Sequence, residues 1–435
     1  MRRRFWSFVL LAFVLAGCSS GSGAYGPPTP GPAPARGAVI SVTHTATLSK
    51  TAMEGGEAGP FVTGIGGAPK CDVDLYAVRY VTIGAHGEPA DASAGFYVPG
   101  RGCKGPYVLI GYSQGTNFNR AMNIAVSTKQ NPEPLILAGV YAAHGYVVAA
   151  TDYLGLGYST YPYEPYLVSS AEASAEIDAM RAVRNAAKTL HVALSGKVFL
   201  QGYSQGGHST IAVQRAIAQE APSEFDVIAN QPGSGMYELT SWVQSNAKKP
   251  PSDGESAFFA FLVPGYNKVY ANIYKDPSET FKPPYANSID TLLPVKTYAQ
   301  QNALAGKTLP VNLKELMQPR FFRDLASDPN SGVRKDLTAN EPLTDWKPTT
   351  PIYLCGGHHD PVVDYENSRQ AYAFLKGEGA KVTLVDLNSM VPPGIPLSQY
   401  HDAVFVLCTV VERVKVLDPL YTRSSSRTVA RRMRR

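Results

Sequence analysis

Residues that bind metals are scarce in this sequence. Its 435 residues include only five cysteines and eight histidines, with no Cys-x-x-Cys pair and no histidine spacing typical of a zinc site. We therefore expect neither a structural metal nor another cofactor.

The body of the chain also lacks an excess of basic charge. The formal net charge is +5, but nine arginines lie at the two ends, at positions 2–4, 423, 427, 431, 432, 434 and 435. Taking these nine from the 40 basic residues leaves 31, against 35 acidic ones. Such a balance predicts no basic face for nucleic acid.

The apolar run near the N-terminus is too short for a permanent membrane span. Phe5–Ala16 follows three arginines, an arrangement typical of an export signal. The run continues into Leu15–Ser20 (LAGCSS), which resembles the lipobox of bacterial lipoproteins. This resemblance implies removal of residues 1–17, lipidation of Cys18, and membrane anchoring on the periplasmic or cell-surface side. A plain secretory signal is the alternative.

Four cysteines remain after the signal, and an exported protein with an even number can form two disulfides. Cys71 and Cys103 would bracket the first β-hairpin, and Cys355 with Cys408 would join two parts of the C-terminal half. These pairings are hypotheses, since Cys355 and Cys408 lie in apolar runs and could be buried thiols.

Composition and periodicity divide the chain into six parts. Residues 18–40 are rich in Gly, Pro, Ser and Ala and predict a disordered tether, and 419–435 predict a basic disordered tail. Between them, 41–233 and 348–418 alternate strand and helix patterns, which predicts an α/β fold with a mostly parallel sheet. Residues 234–347 interrupt this alternation and predict an inserted, largely helical segment.

The predicted elements begin with an antiparallel hairpin of Leu75–Thr82 and Ser93–Val98. Further strands are predicted at Tyr107–Ile110, Tyr146–Ala150, Val198–Leu200, Phe225–Ala229, Pro351–Leu354 and Lys381–Val385. Helices are predicted at Leu135–Ala143, Glu172–Leu190, Gly206–Gln219, Glu366–Leu375 and Ala403–Val414. The insertion then falls between the sixth and seventh predicted strands.

The stretch Gly202–Gly206 (GYSQG) matches the pattern G-x-S-x-G between a predicted strand and a predicted helix. In that context the turn is tight enough to strain the serine and raise its hydroxyl above the sheet. The motif therefore predicts Ser204 as a nucleophile, with the N–H of Gln205 as an oxyanion donor.

The same five residues occur at Gly111–Gly115, after the strand Tyr107–Ile110. Only the hairpin and this one strand precede Ser113, and the following residues are a poor helix start. We interpret the first copy as the loop that supplies the second oxyanion donor, with Gln114 as its contributor. Ser113 as the nucleophile stays as an alternative.

A serine nucleophile needs a base and a carboxylate that holds the base, in the chain order Ser, Asp or Glu, His. Asp360 lies in a glycine-rich loop at the end of a predicted strand, where catalytic groups of open α/β sheets collect. Asp364 and Glu366 are weaker candidates, since they open the next helix. His401, the last histidine of the chain, is the predicted base.

Three motifs together resemble the secretory lipase family, relatives of the fungal lipase A-type enzymes. They are Ala149–Gly157 (AATDYLGLG), Gln201–His208 (QGYSQGGH) and Gly356–Asp360 (GGHHD). The resemblance implies an α/β-hydrolase fold over roughly residues 65–415, with 234–347 as the cap. It also implies Ser204, Asp360 and His401 as the triad, and Gln205 and Gln114 as oxyanion residues.

The predicted reaction is hydrolysis of a carboxylic ester, including acylglycerols, through an acyl-enzyme. We expect the protein to act as a monomer. A serine peptidase of the same fold and a non-catalytic surface lipoprotein are the alternatives. An epoxide hydrolase or dehalogenase is excluded, because position 204 would then carry an aspartate.

Overall fold

The computed structural model describes residues 35–55, 59–250, 254–344 and 346–421. The predicted export signal, Cys18 and nearly all of the predicted tether and tail lie outside these ranges. No helix among the residues described has the length and apolar character needed to cross a bilayer.

The described residues contain nine β-strands. They are β1 Val39–Leu48, β2 Val73–Ile83, β3 Pro89–Pro99, β4 Tyr107–Ser113, β5 Tyr146–Thr151, β6 Leu194–Tyr203, β7 Asp226–Gly233, β8 Ile352–Gly356 and β9 Val382–Asp386. These strands form one sheet in the order β1-β2-β3-β5-β4-β6-β7-β8-β9. The pairs β1–β2, β2–β3 and β3–β5 are antiparallel, and the pairs from β5 through β4 to β9 are parallel. This confirms the mostly parallel sheet with an N-terminal antiparallel hairpin.

The first strand, β1, was not predicted. It begins at Val39, within the segment whose composition predicts a tether, and all ten of its residues are exposed or half-buried. Its sequence, VISVTHTATL, is rich in β-branched residues, and Ile40, Val42, Ala46 and Leu48 alternate with serine and threonine. This alternation is typical of a strand, so the prediction of a tether up to residue 40 overlooked it. Because of this extra strand, the predicted insertion lies between β7 and β8.

Fourteen α-helices are described, and they are numbered along the chain. They are α1 Lys50–Gly55, α2 Gly59–Gly66, α3 Glu133–Val140, α4 Ser169–Thr189, α5 Gln205–Glu220, α6 Leu239–Asn246, α7 Glu255–Tyr270, α8 Ile289–Leu292, α9 Tyr298–Asn302, α10 Leu313–Leu316, α11 Pro319–Ser327, α12 Gly332–Ala339, α13 Tyr365–Gly377 and α14 Leu397–Glu412. Helices α6 to α12 make up the predicted insertion.

Helices cover both faces of the sheet, as a parallel sheet requires. Alternate residues of β4 point to opposite sides. Leu109 joins the core that holds α4 and α5, whereas Val108 and Ile110 join the core that holds α3. All seven residues of β4 are buried. The carboxyl end of β4 therefore lies beside the carboxyl ends of β5 and β6, inside the protein.

Both hypothesised disulfides are present. Cys71 bonds to Cys103, and Cys355 at the end of β8 bonds to Cys408 on α14. The second bond ties the strand that precedes Asp360 to the helix that carries His401. The predicted start of that helix, Ala403, is wrong by six residues, since α14 begins at Leu397. His401 thus lies within the helix rather than before it.

Candidate active site

Ser204 occupies the turn between β6 and α5 with φ of 58° and ψ of −119°. A non-glycine residue with positive φ is strained, and the surrounding bonds have to hold it there. Its N–H donates to the carbonyl oxygen of Gly233 at 2.9 Å, which fixes the turn against β7. The residue is 6% exposed and directly precedes α5. The strained turn predicted from the motif is present.

The first copy of the motif lies beside the second, on the neighbouring strand of the sheet. In the register of β4 and β6, Ser113 is level with Gly202, two residues before Ser204. Ser113 is fully buried, and its hydroxyl accepts a hydrogen bond from Ser209 at 3.3 Å. A fully buried hydroxyl beside the turn is not accessible to a substrate. This disfavours Ser113 as the nucleophile.

Asp360 and His401 form a direct pair although they are 41 positions apart in the chain. The Nδ1 atom of His401 lies 2.7 Å from Oδ2 of Asp360. The other oxygen, Oδ1, accepts the N–H groups of Val362 at 2.9 Å and Val363 at 3.0 Å. The carboxylate side chain is fully buried, and the imidazole is 13% exposed.

These contacts lower the pKa of Asp360 below its ordinary value, even though burial acts in the opposite direction. The His401 imidazole contributes most to the lowering, and the N–H groups of Val363 and Val362 add to it. The rival carboxylates have other partners. Asp364 caps α13 by accepting the N–H of Glu366 at 3.0 Å, and Glu366 pairs with Arg369 at 3.4 Å.

Ser204 and His401 line the same cavity, of about 220 Å³. Polar walls come from Tyr112, Thr116, Glu133 and Asp402, and apolar walls from Phe118, Phe258, Val362 and Phe405. Phe258 belongs to α7 of the insertion and packs on Phe118, with 5.3 Å between the ring centroids. The neighbouring Phe259, Phe261 and Leu262 are buried in the core. The aromatic run of α7 therefore contributes both to the cavity and to core packing.

Two contacts at this cavity could not be read from the sequence. The hydroxyl of Tyr203 donates to the carbonyl oxygen of His401 at 2.8 Å, so the residue before the serine also holds the histidine. Glu133 accepts hydrogen bonds from the Tyr112 hydroxyl and the Gly115 N–H. Withdrawal of the Glu133 carboxyl from water raises its pKa to about 7. Nothing in the local pattern around residue 133 marks it for this role.

The two glutamines of the duplicated motif turn their side chains away from the cavity. The Gln114 amide donates to the carbonyl oxygen of Asp152 at 3.0 Å. The Gln205 amide donates to Glu164 and Glu172. Any contact of either residue with an oxyanion therefore has to come from its backbone. The N–H of Gln205 begins α5, where the helix itself offers no acceptor.

Two polar residues within the motifs Ala149–Gly157 and Gly356–Asp360, Asp152 and His358, have partners of their own. Asp152 is buried and accepts from Ser93 at 2.6 Å and from Asn123 at 2.8 Å, and burial raises its pKa to about 7. His358 pairs with Asp386 at 2.8 Å. Among the described residues, no three His, Cys, Asp or Glu side chains are arranged to hold a metal ion.

A family profile described as "Secretory lipase" matches residues 123–390, more than half of the chain. This chain belongs to the secretory lipase family. Among solved structures, it is similar to the rice cell wall degrading esterase LipA from Xanthomonas oryzae. The identity is 35% and the TM-score 0.80, over 89% of this chain and 100% of that one. This secretory lipase family member is therefore a carboxylic ester hydrolase with an α/β-hydrolase fold.

Two more distant structures share the fold. A putative hydrolase from Legionella pneumophila is 23% identical, with a TM-score of 0.73, over 88% of this chain and 98% of that one. Lipase A from Candida antarctica is 16% identical, with a TM-score of 0.59, over 85% and 83% of the two chains. The comparison with curated proteins gives no match.

Proposed function

We propose that Ser204, Asp360 and His401 form a catalytic triad that cleaves carboxylic esters through an acyl-enzyme. The observation that carries this proposal is the 2.7 Å contact of His401 with Asp360, at the cavity that also contains the strained Ser204. Asp360 accepts the hydrogen of Nδ1 and so leaves Nε2 free to take the proton of the Ser204 hydroxyl.

The reaction then proceeds in two halves. Ser204 attacks the ester carbonyl, and its proton passes to His401. The negative oxygen of the tetrahedral intermediate is held by the N–H of Gln205 and by the backbone of the loop containing Gln114. His401 returns the proton to the leaving alcohol. Water then attacks the acyl-serine by the same steps, which releases the acid and restores the serine hydroxyl.

The cavity favours esters with a short acyl group. Its volume of about 220 Å³ lies below the range of about 300–1,000 Å³ in which drug-sized ligands bind. Glu133 adds a carboxyl group to the wall, and burial raises its pKa to about 7, so this wall becomes negatively charged and disfavours anionic substrates only as pH rises above about 7. The relative from Xanthomonas oryzae is likewise termed an esterase. We propose that residues 234–347 act as a cap, which is supported by Phe258 on the cavity wall.

A series of p-nitrophenyl esters tests this function. The acetate and butyrate esters should give higher kcat/KM than the palmitate ester. The p-nitroanilide of butyric acid should be cleaved far more slowly than the butyrate ester. Faster cleavage of the anilide would favour a peptidase, and a maximum at palmitate would contradict the short acyl site. The Ser204→Ala variant, prepared in the same way, is the control for background hydrolysis.

The family and the two disulfides indicate an exported protein. We propose in addition that Cys18 is lipidated and anchors it, on the basis of the sequence Leu15–Ser20. Metabolic labelling with palmitate should mark the wild type and not Cys18→Ser. Equal labelling of both, or no membrane association of the wild type, would contradict the anchor without affecting the hydrolase.

A further inference from the structure

A cluster of buried polar side chains lies directly behind the nucleophile turn. Glu164, Glu172, Gln205 and His208 are each 3% exposed or less. Glu164 comes from the segment before α4, Glu172 from the first turn of α4, and the other two from the first turn of α5. The reaction proposed above uses none of these side chains. Buried polar groups of this kind are costly unless they bond to one another.

The Gln205 amide is held by two carboxyl groups. Its Nε2 atom donates to Oε1 of Glu164 at 2.7 Å and to Oε1 of Glu172 at 2.8 Å. An amide nitrogen carries two hydrogens, so both are used. Because the two acceptors come from separate places along the chain, they fix the direction of this side chain. They thereby also fix the first residue of α5, whose N–H faces the oxyanion in the proposed reaction.

His208 extends this cluster to the end of the insertion. Its Nδ1 atom lies 2.8 Å from Oε2 of Glu172, and its Nε2 atom lies 2.9 Å from the carbonyl oxygen of Asn340. A carbonyl oxygen can only accept, so Nε2 carries a hydrogen. Asn340 directly follows α12 and also accepts from the Ser169 hydroxyl at 2.7 Å. His208 therefore holds Glu172 in place with a second, independent support.

The electrostatics of the cluster favour one neutral acid. Burial raises the pKa of Glu164 well above its ordinary range, and the nearby Glu172 adds to the effect. The second oxygen of Glu164 is buried and has no hydrogen-bond partner among the residues described. A neutral Glu164 still accepts from Gln205 through Oε1. The cluster can then persist without two uncompensated charges.

We propose that Glu164 and Glu172, supported by His208, are positioning residues that hold the Gln205 N–H at the oxyanion. This inference rests on the proposed function, in which that N–H is a donor. Loss of an oxyanion donor costs about 10²–10³ in kcat. Loosening such a donor should cost less, about 10- to 100-fold, and should leave KM nearly unchanged.

The test compares Glu164→Leu with Glu164→Gln. Leucine removes the acceptor for the Gln205 amide, whereas glutamine keeps an oxygen in the place of Oε1. We expect Glu164→Leu to lower kcat on p-nitrophenyl butyrate by about 10- to 100-fold at a similar KM, and Glu164→Gln to restore most of it. Asp178→Leu is the matched control, because Asp178 is a buried carboxylate on α4 that bonds Arg36, Arg181 and Thr82 and does not contact Gln205. It should lower the melting temperature without lowering kcat per folded molecule.

A wild-type kcat in folded Glu164→Leu, with stability lost as in Asp178→Leu, would overturn the inference and leave a structural role. If Glu164→Leu does not fold, Gln205→Met decides the question, since it removes both amide donations but keeps the backbone N–H and a similar volume. A wild-type kcat in Gln205→Met would overturn the inference as well. Ser204→Ala distinguishes failure of the proposed function from failure of the positioning role. If Ser204→Ala stays active, the proposed function is wrong. If it is inactive while Glu164→Leu and Gln205→Met keep full kcat, only the positioning role is wrong.

Discussion

The carbonyl oxygen of Ser113 lies 1.9 Å from the place where a Cβ on Gly206 would stand. The last glycine of one GYSQG copy is thus packed against the serine backbone of the other. The two copies lie on neighbouring parallel strands, and the second can form its sharp turn only because Gly206 has no side chain there.

The Gly206→Ala variant tests this packing. The added methyl group would collide with backbone rather than with a movable side chain, so we expect a loss of at least about 1–3 kcal/mol in the free energy of unfolding, with loss of ester hydrolysis. Urea denaturation measures the first effect. Gly115→Ala is the matched control from the other copy, because its Cβ would have only the carbonyl oxygen of Tyr203 nearby, at 3.6 Å. Equal stability of both variants would contradict the account of the turn.

A second prediction concerns the acid and the base. Asp360→Asn should lower kcat by about 10⁴-fold and His401→Ala by up to about 10⁶-fold, measured with p-nitrophenyl butyrate. The double variant should be hardly worse than His401→Ala, since the carboxylate acts only through the imidazole. Asp364→Asn should keep nearly full activity, because it caps α13 and asparagine also caps helices well. An essential Asp364 and a dispensable Asp360 would mean that the acid is assigned to the wrong residue.

The two disulfides should differ in their effect on catalysis. Each double Cys→Ala variant should lose about 2–5 kcal/mol of stability, as is usual when a native disulfide is removed. Only the loss of Cys355–Cys408 should also lower kcat, because that bond joins the strand before Asp360 to the helix of His401. The comparison is made at a temperature at which both variants are folded by circular dichroism. A lower kcat after loss of Cys71–Cys103 alone would contradict this assignment.

The pH dependence of stability should show the buried carboxyl of Glu412. Burial raises its pKa to about 8, and it is 1% exposed. A carboxyl whose pKa is raised in the folded state contributes stability below its unfolded pKa of about 4.3, and this is lost as pH rises through the folded value. Glu412→Gln stays uncharged, so it should match the wild type near pH 5 and exceed it by about 1–4 kcal/mol near pH 8.

Urea unfolding at both pH values measures this difference, with the exposed Glu378→Gln as the control. A pH-independent difference between Glu412→Gln and the wild type would contradict the burial of a titrating carboxyl.

Asp360 affects stability in the opposite sense, at acid pH. Its pKa is lowered in the folded state, so its contribution to stability is present above its unfolded pKa of about 3.9 and is lost as pH falls through the lower folded value.

The sequence allowed prediction of those parts of the fold whose physical cause is local. The buried strands β4 and β5 are continuous apolar runs, and the turn at Ser204 needs only neighbouring glycines, so both could be predicted. The edge strand β1 was overlooked although its residues alternate apolar and polar types, because it directly follows the Gly- and Pro-rich segment that predicts a tether. The start of α14 was missed because Pro396 and the preceding Gly- and Pro-rich loop resemble a longer connection.

The residues of the candidate site also fall into two groups, those that could be predicted from the sequence and those that could not. Asp360 and His401 were selected by chain order and by their position after strands, and the structure brings them into contact. Glu133, Glu164 and Asn340 were not identified, because their roles depend on contacts between residues far apart in the chain. A glutamate after a proline, or an asparagine after a helix, occurs in many proteins without such contacts. Only the tertiary packing distinguishes these three residues.

We propose that Ser204, and not its counterpart Ser113, is the nucleophile. Labelling with a fluorophosphonate, followed by proteolysis and mass spectrometry of the two GYSQG peptides, tests it most directly. We expect one label per molecule, on the peptide containing Ser204, with full labelling of Ser113→Ala and none of Ser204→Ala. A label on the peptide containing Ser113, or labelling that survives in Ser204→Ala, would contradict it.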